Sequence, residues 1–127
     1  MKYIKKLKPF HIDLRGEMTH LLDEKFKIKA VLLITCKKGA IRANHYHKKD
    51  THHSYMLKGK MEYTYQNLNS KNKNKKTITV NVGELVITPP MTAHAMKFLE
   101  DSVILALTTE PREQKKYEKD TVRVEVI

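Results

Sequence analysis

Apolar and β-branched residues in this chain fall into short alternating runs, each closed by a turn signal, and an amphipathic helical period is nearly absent. Residues 29–36 (KAVLLITC) form one apolar run, closed by Lys37, Lys38 and Gly39. Residues 40–47 alternate, with Ala43, His45 and His47 on one parity and Arg42, Asn44 and Tyr46 on the other. Residues 52–57 lead into Lys58 and Gly59, a hairpin signal, and 60–66 place Met61, Tyr63 and Tyr65 on one face. Further runs cover 77–82, 84–88, 94–99, 103–109 and 121–126, with Pro89 and Pro90 as a double stop and a helical turn at 112–119. A set of short strands with turns roughly every 8–12 residues predicts an all-β sandwich or jelly-roll barrel. At 127 residues the chain closes one core and is too short for two.

Charge is the next constraint. Lys+Arg number 25 against 14 Asp+Glu, a formal net charge of +11. Only Arg15, Arg42, Arg112 and Arg123 are arginines, and bidentate recognition of bases and phosphates favours arginine over lysine. The one dense basic block, 71–76 (KNKNKK), falls between two strand-like runs and reads as a solvated loop. Nucleic acid is therefore not an expected partner. No apolar stretch is long enough to span a bilayer as a helix, so no membrane is expected either. The basic start lacks a continuous apolar segment of the kind that directs secretion, and one cysteine excludes an internal disulfide framework; both fit a reducing cytoplasm. Cys36 lies in an apolar run and reads as an inert buried thiol, while Glu84, after a turn glycine, is expected at the surface.

Five of the seven histidines fall in two places. His45 and His47 are two apart on a strand, so their imidazoles project to the same side. His52 opens the next strand, and His94 follows the double proline, where an opposing strand would carry it toward the others. Imidazoles converging in a barrel mouth suit a divalent metal such as Zn, Fe, Ni, Cu or Mn. His53 has the opposite parity to His52 and is expected to pack outside the cavity, and His11 and His20 receive no function. Met56, Met61, Met91 and Met96 read as core filling before pocket lining.

The spacing Gly39-x5-His45-x-His47-x4-His52-x6-Gly59, followed by Gly83-x5-Pro89-x-Met91-x2-His94, resembles the two motifs of the cupin superfamily. The resemblance implies a single cupin domain, a double-stranded β-helix or jelly-roll barrel. Its core spans about 28–110, with 1–27 and 111–127 as possible arms of a homodimer. Three positions depart from the motifs: His52 replaces a glutamate, Met91 a glycine and Phe98 an asparagine. With the glutamate gone, a bound cation would keep its charge unless an anionic substrate or hydroxide neutralised it. The segments Asp13-x-Arg15-Gly16 and Arg42-x-x-His45-x-His47 are further similar to small cupins acting on nucleotide-linked sugars. These are the dTDP-4-dehydrorhamnose 3,5-epimerases, the dTDP-6-deoxyhexose 3,4-ketoisomerases and cupin domains of capsular-polysaccharide enzymes.

That second resemblance implies an isomerase or epimerase acting beside a keto group in surface-polysaccharide sugar biosynthesis, with an anionic sugar nucleotide as substrate. On this reading His45 abstracts the α-proton, and His47 polarises the carbonyl or returns the proton. Arg42 and Arg15 take the pyrophosphate. Tyr63 and Tyr65 line the substrate site. A metal held by His45, His47, His52 and His94 is the competing use of the same side chains, because a ligating imidazole is not a base. Tyr63 or Tyr65 would then be the available base. No organic cofactor is expected. A metal-dependent oxygenase or lyase, and a non-catalytic ligand-binding cupin, remain the alternatives.

Overall fold

The computed structural model describes residues 3–22 and 24–127. Two five-stranded antiparallel sheets face one another. The first has the order β1 (Ile4–Lys6), β9 (Glu84–Thr88), β6 (His52–Lys58), β11 (Ser102–Thr108), β4 (Ala30–Cys36). The second runs β12 (Thr121–Arg123), β5 (Ile41–His47), β10 (Thr92–Phe98), β7 (Lys60–Asn67), β8 (Lys76–Asn81). A separate hairpin pairs β2 (His11–Asp13) with β3 (Gly16–Met18), and the described helix is α1 (Gln114–Asp120). Consecutive strands β4–β11 alternate between the sheets, with β7 and β8 paired in one of them, which gives the double-sheet barrel expected from the period.

The inward faces divide the barrel into two halves. One is filled by Met56, Met61, Tyr63, Val80, Val86, Phe98 and Ile104, all fully or almost fully buried. Met56, Met61 and Met96 are thus core residues, as expected, and Met96 also lines the cavity of the other half. Residues 71–75 form the exposed loop between β7 and β8. Glu84 is a correction: it is buried, because its carboxylate turns back to accept the Asn81 N–H at 2.6 Å across the β8–β9 turn. The C-terminal arm belongs to its own barrel. β12 pairs with β5, and Asn44 Oδ1 accepts the Val126 and Ile127 amides at 2.9 and 3.1 Å.

Strict alternation fails in β5, and the failure matters. Ala43 and Asn44 both have left-handed backbone, with φ of 72° and 54°. Cross-strand pairing passes from His94↔His45 to Ala95↔Ala43, so one extra residue is accommodated as a bulge. Met96, an inward residue, then pairs with Arg42, which brings Arg42 to the side that His45 and His47 occupy. Parity alone had set it on the opposite side.

Met91, the residue standing where the motif has glycine, also has positive φ, 61°. Its backbone is pinned on both sides: its N–H donates to His47 O at 2.8 Å and its carbonyl accepts from Leu68 N at 3.0 Å. A side chain there is held in a disfavoured conformation by tertiary bonds. Met91→Gly should therefore raise unfolding stability by up to about 1 kcal/mol, the strain relieved less the added flexibility of the unfolded chain. Urea denaturation measures this, and a clear loss of stability would show that Met91 packing outweighs the strain.

Candidate active site

The open half of the barrel holds a cavity of about 110 Å³, lined by side chains from β4, β5, β6, β10, β11, α1 and the segment leading into it. Three of its histidines come from one sheet. His45 and His94 are directly paired across β5 and β10, and His47 is two residues further along β5. Ring centroids lie 4.6 Å apart for His45–His47 and 4.8 Å for His45–His94. His94 was expected from an opposing strand; it lies on the neighbouring strand of the same sheet because β10 runs antiparallel to β5 in register. His52 is the residue that arrives from the facing sheet, stacked against His47 at 6.0 Å.

Hydrogen bonds fix how two of these rings present themselves. His94 Nδ1 donates to the Thr92 carbonyl at 3.0 Å, leaving the Nε2 lone pair free. Thr121 Oγ1 donates its one proton to Tyr117 O at 2.7 Å, so its oxygen accepts from His47 Nδ1 at 3.2 Å. Asp120 Oδ2 stands 3.6 Å from the same nitrogen. His47 Nε2 is therefore unprotonated, buried, and without a hydrogen-bond partner among the described residues.

The environment keeps these imidazoles neutral. Burial, then the neighbouring His47 and His52, then Arg123 and Arg112, holds His45 down to about 3. Burial and His52 hold His47 down to about 4, against the opposing pull of Asp50 and Asp120. Burial and His45 push fully enclosed His94 well below its ordinary value. At neutral pH all three offer lone pairs. His45 is only partly buried, whereas His47 and His94 are almost wholly enclosed, so His45 is the imidazole of the three most open to a ligand.

Asp50 is a residue that sequence reasoning missed. Its Oδ1 accepts from Thr109 N at 2.8 Å and from Glu110 N at 3.3 Å, and its Oδ2 lies 3.4 Å from His52 Nδ1. Burial works against this carboxylate, yet His52, His47 and the Thr109 N–H outweigh it and keep it below its ordinary value. The acid that His52 displaced from the motif is thus replaced two residues earlier. Asp120, Arg112 and Tyr117 were missed as well. Nothing local marks them, since a short charged helix reads as surface until its partners are known.

Two donor groups emerge: His45, His47 and His94, and separately His47, Asp50 and His52, each with ligand atoms within 4.8 Å of one another. The first fits a divalent metal by donor chemistry, with His47 Nε2 and His94 Nε2 as lone pairs not engaged by the hydrogen bonds that fix the two rings. The four-histidine set is split between these groups.

The other expected site residues are placed as follows. Arg42 lines the cavity, its Nε donating to Cys36 Sγ at 3.2 Å and its Nη2 to Thr35 O at 3.1 Å. Tyr63 does not line it: the side chain is fully buried in the core, its hydroxyl bonded to Thr88 Oγ1 at 2.7 Å, and burial raises its pKa. Tyr65 packs against Tyr3, the rings tilted by 32° with centroids 4.2 Å apart, and borders a separate depression beside Asn72 and Lys76. Arg15 sits on the exposed β2–β3 hairpin, bonded to Asp13 Oδ2 at 2.7 Å, and reaches no part of this cavity. His53 packs outside, edge-on to Phe26 at 4.6 Å.

An antiparallel double-sheet barrel with a histidine-lined mouth is a cupin barrel, and known structures agree. The 3,4-ketoisomerase QdtA from Thermoanaerobacterium thermosaccharolyticum, a double mutant in complex with TDP, superposes with a TM-score of 0.74 at 26% identity, over 97% of this chain and 88% of that one. A 3,4-ketoisomerase from Helicobacter canadensis gives 0.76 at 21% identity over 94% and 88%, and the rmlC epimerase of Mycobacterium tuberculosis 0.74 at 12% over 89% and 65%; these two share the fold. The model of the polysaccharide biosynthesis C-terminal domain matches residues 11–122, and the chain belongs to that family. No curated protein matches the chain. Among the described residues no helix is long and apolar enough to cross a membrane.

Proposed function

We propose that the protein is a ketoisomerase or epimerase acting beside the keto group of a nucleotide-linked sugar, in sugar biosynthesis for polysaccharide. The observation that carries this is a pair of neutral histidines, His45 and His47, sharing one cavity with a carboxylate behind His47. Moving a proton between carbons that flank a carbonyl requires a base, an acid, and support for the enolate. His45, the more open of the two, takes the α-proton. His47 Nε2, unprotonated at rest, receives that proton from His45 and delivers it to the carbon on the other side of the enolate, and Asp120 stabilises the charged form of His47 while it holds it. The cavity is smaller than pockets that enclose a whole drug-sized ligand, roughly 300 Å³ or more, so the sugar enters and the nucleoside lies outside. Support also comes from the family and from QdtA, which is described with TDP bound. Incubation with TDP-4-keto-6-deoxyglucose, followed by NMR of the sugar protons, tests the reading; an unchanged sugar in the presence of bound TDP would remove it.

The triad His45, His47 and His94 favours a second reading, a metal centre. A divalent metal held there would supply Lewis-acid stabilisation of an enolate or activate a small ligand, and those histidines would then no longer be bases. Elemental analysis of the purified protein separates the two uses.

The proposed working state is a cytoplasmic homodimer. The hairpin exposes Phe10, Ile12, Leu14 and Met18, and the outer face of edge strand β4 exposes Val31 and Leu33. A second copy covering these faces would also bring Arg15 near another chain's surface. Light scattering should give twice the chain mass, and a concentration-independent monomer would reject the assembly.

A further inference from the structure

Charge in the cavity is one-sided. Among its described lining residues are two guanidinium groups, Arg42 and Arg112, and no carboxylate. Asp50 and Asp120 stand behind His52 and His47, where backbone N–H groups engage them. Arg42 is already committed to Thr35 and Cys36. Arg112 is held differently. Its guanidinium carbon lies 3.8 Å from the centre of the Tyr117 ring, a contact that positions the group without using its N–H donors. Its Nε is buried and has no hydrogen-bond partner among the described residues. A buried charged donor lacking an acceptor is unfavourable, and an oxyanion entering the cavity is the acceptor that matches it.

We propose that Arg112 is the anion-recognition residue of this cavity, held over Tyr117 to take an oxygen of a phosphate or carboxylate group on the substrate. The inference rests on the keto-sugar reading for the sugar, and on Arg112 alone for the anion. The helix that supports it has a second task. Tyr117 accepts through its carbonyl from Thr121, which bonds His47, and Asp120 ends the same helix beside His47. The element that holds the anion anchor therefore also carries the groups behind a catalytic histidine.

Calorimetric titration of wild type and Arg112→Gln with two probes tests this: TDP, a diphosphate without a hexose, and glucuronate, a carboxylate sugar without phosphate. Wild type should bind at least one, and Arg112→Gln should weaken that one at least about tenfold. Arg112→Lys should recover part of the loss, because it restores the charge without the fork. Loss toward TDP identifies phosphate as the anion; loss toward glucuronate identifies a carboxylate. Unchanged affinity in Arg112→Gln, or no binding of either probe by wild type, overturns the proposal. Equal thermal unfolding of the variants confirms that folding is not the cause. The readout is independent of turnover: Arg112-dependent TDP binding with an inert keto-sugar sinks the isomerase reading alone. Turnover by wild type with KM unchanged in Arg112→Gln sinks this inference alone.

Discussion

His45→Ala is expected to lower the rate of proton exchange at the sugar carbon by about 10²–10⁴-fold, the usual contribution of a positioned general base. The effect should fall on kcat and leave the protein folded. His45 is only partly buried, and among the described residues it shows ring contacts but no hydrogen bond, so its removal opens space at the cavity mouth without orphaning a buried polar group. His47→Ala would be harder to read, since it strands the Nδ1 acceptors Thr121 and Asp120. Exchange surviving in His45→Ala at near wild-type rate would move the base elsewhere, with His47 the next candidate.

Asp120→Asn is expected to cost on the order of 10²-fold in kcat with KM within a few-fold of wild type. The carboxylate lies 3.6 Å from His47 Nδ1 and opposes the burial that holds His47 down to about 4. Removing its charge should make His47 still harder to protonate, so a step that passes a proton through His47 slows while sugar binding does not. Asp120 also accepts the Lys49 and Asp50 amides at 2.8 and 3.2 Å, which an asparagine oxygen can still do in part. A purely structural role would lower stability and leave kcat per folded molecule intact. Unfolding curves and single-turnover rates on the same sample distinguish the two.

The legible part of this molecule was whatever a period-two pattern and a fixed spacing encode. Residues 84–88 matched β9 at both ends, and His45, His47 and His94 came together because strand parity and cross-strand pairing leave few other outcomes. The bulge at Ala43 and Asn44 was not legible, because neither residue is the glycine that advertises positive φ, and with it went the true side of Arg42. Tyr63 and Tyr65 share a face in sequence. Yet one is enclosed in the apolar core and the other packs beside Tyr3, and neither lines the histidine cavity. Asp50, Asp120, Arg112 and Tyr117 escaped for a different reason. Their roles depend on contacts between segments about 60–70 residues apart, such as Lys49 N to Asp120, and no local pattern records those.

The central claim is that this cavity moves a proton at a carbon beside a carbonyl. Incubating the purified protein with TDP-4-keto-6-deoxyglucose in D₂O, and following the sugar by NMR and mass spectrometry, tests it most directly. The account predicts deuterium at the carbon adjacent to the keto group, at a rate that collapses in His45→Ala. Sugar recovered without deuterium from wild type, under conditions where the nucleotide is bound, would contradict it.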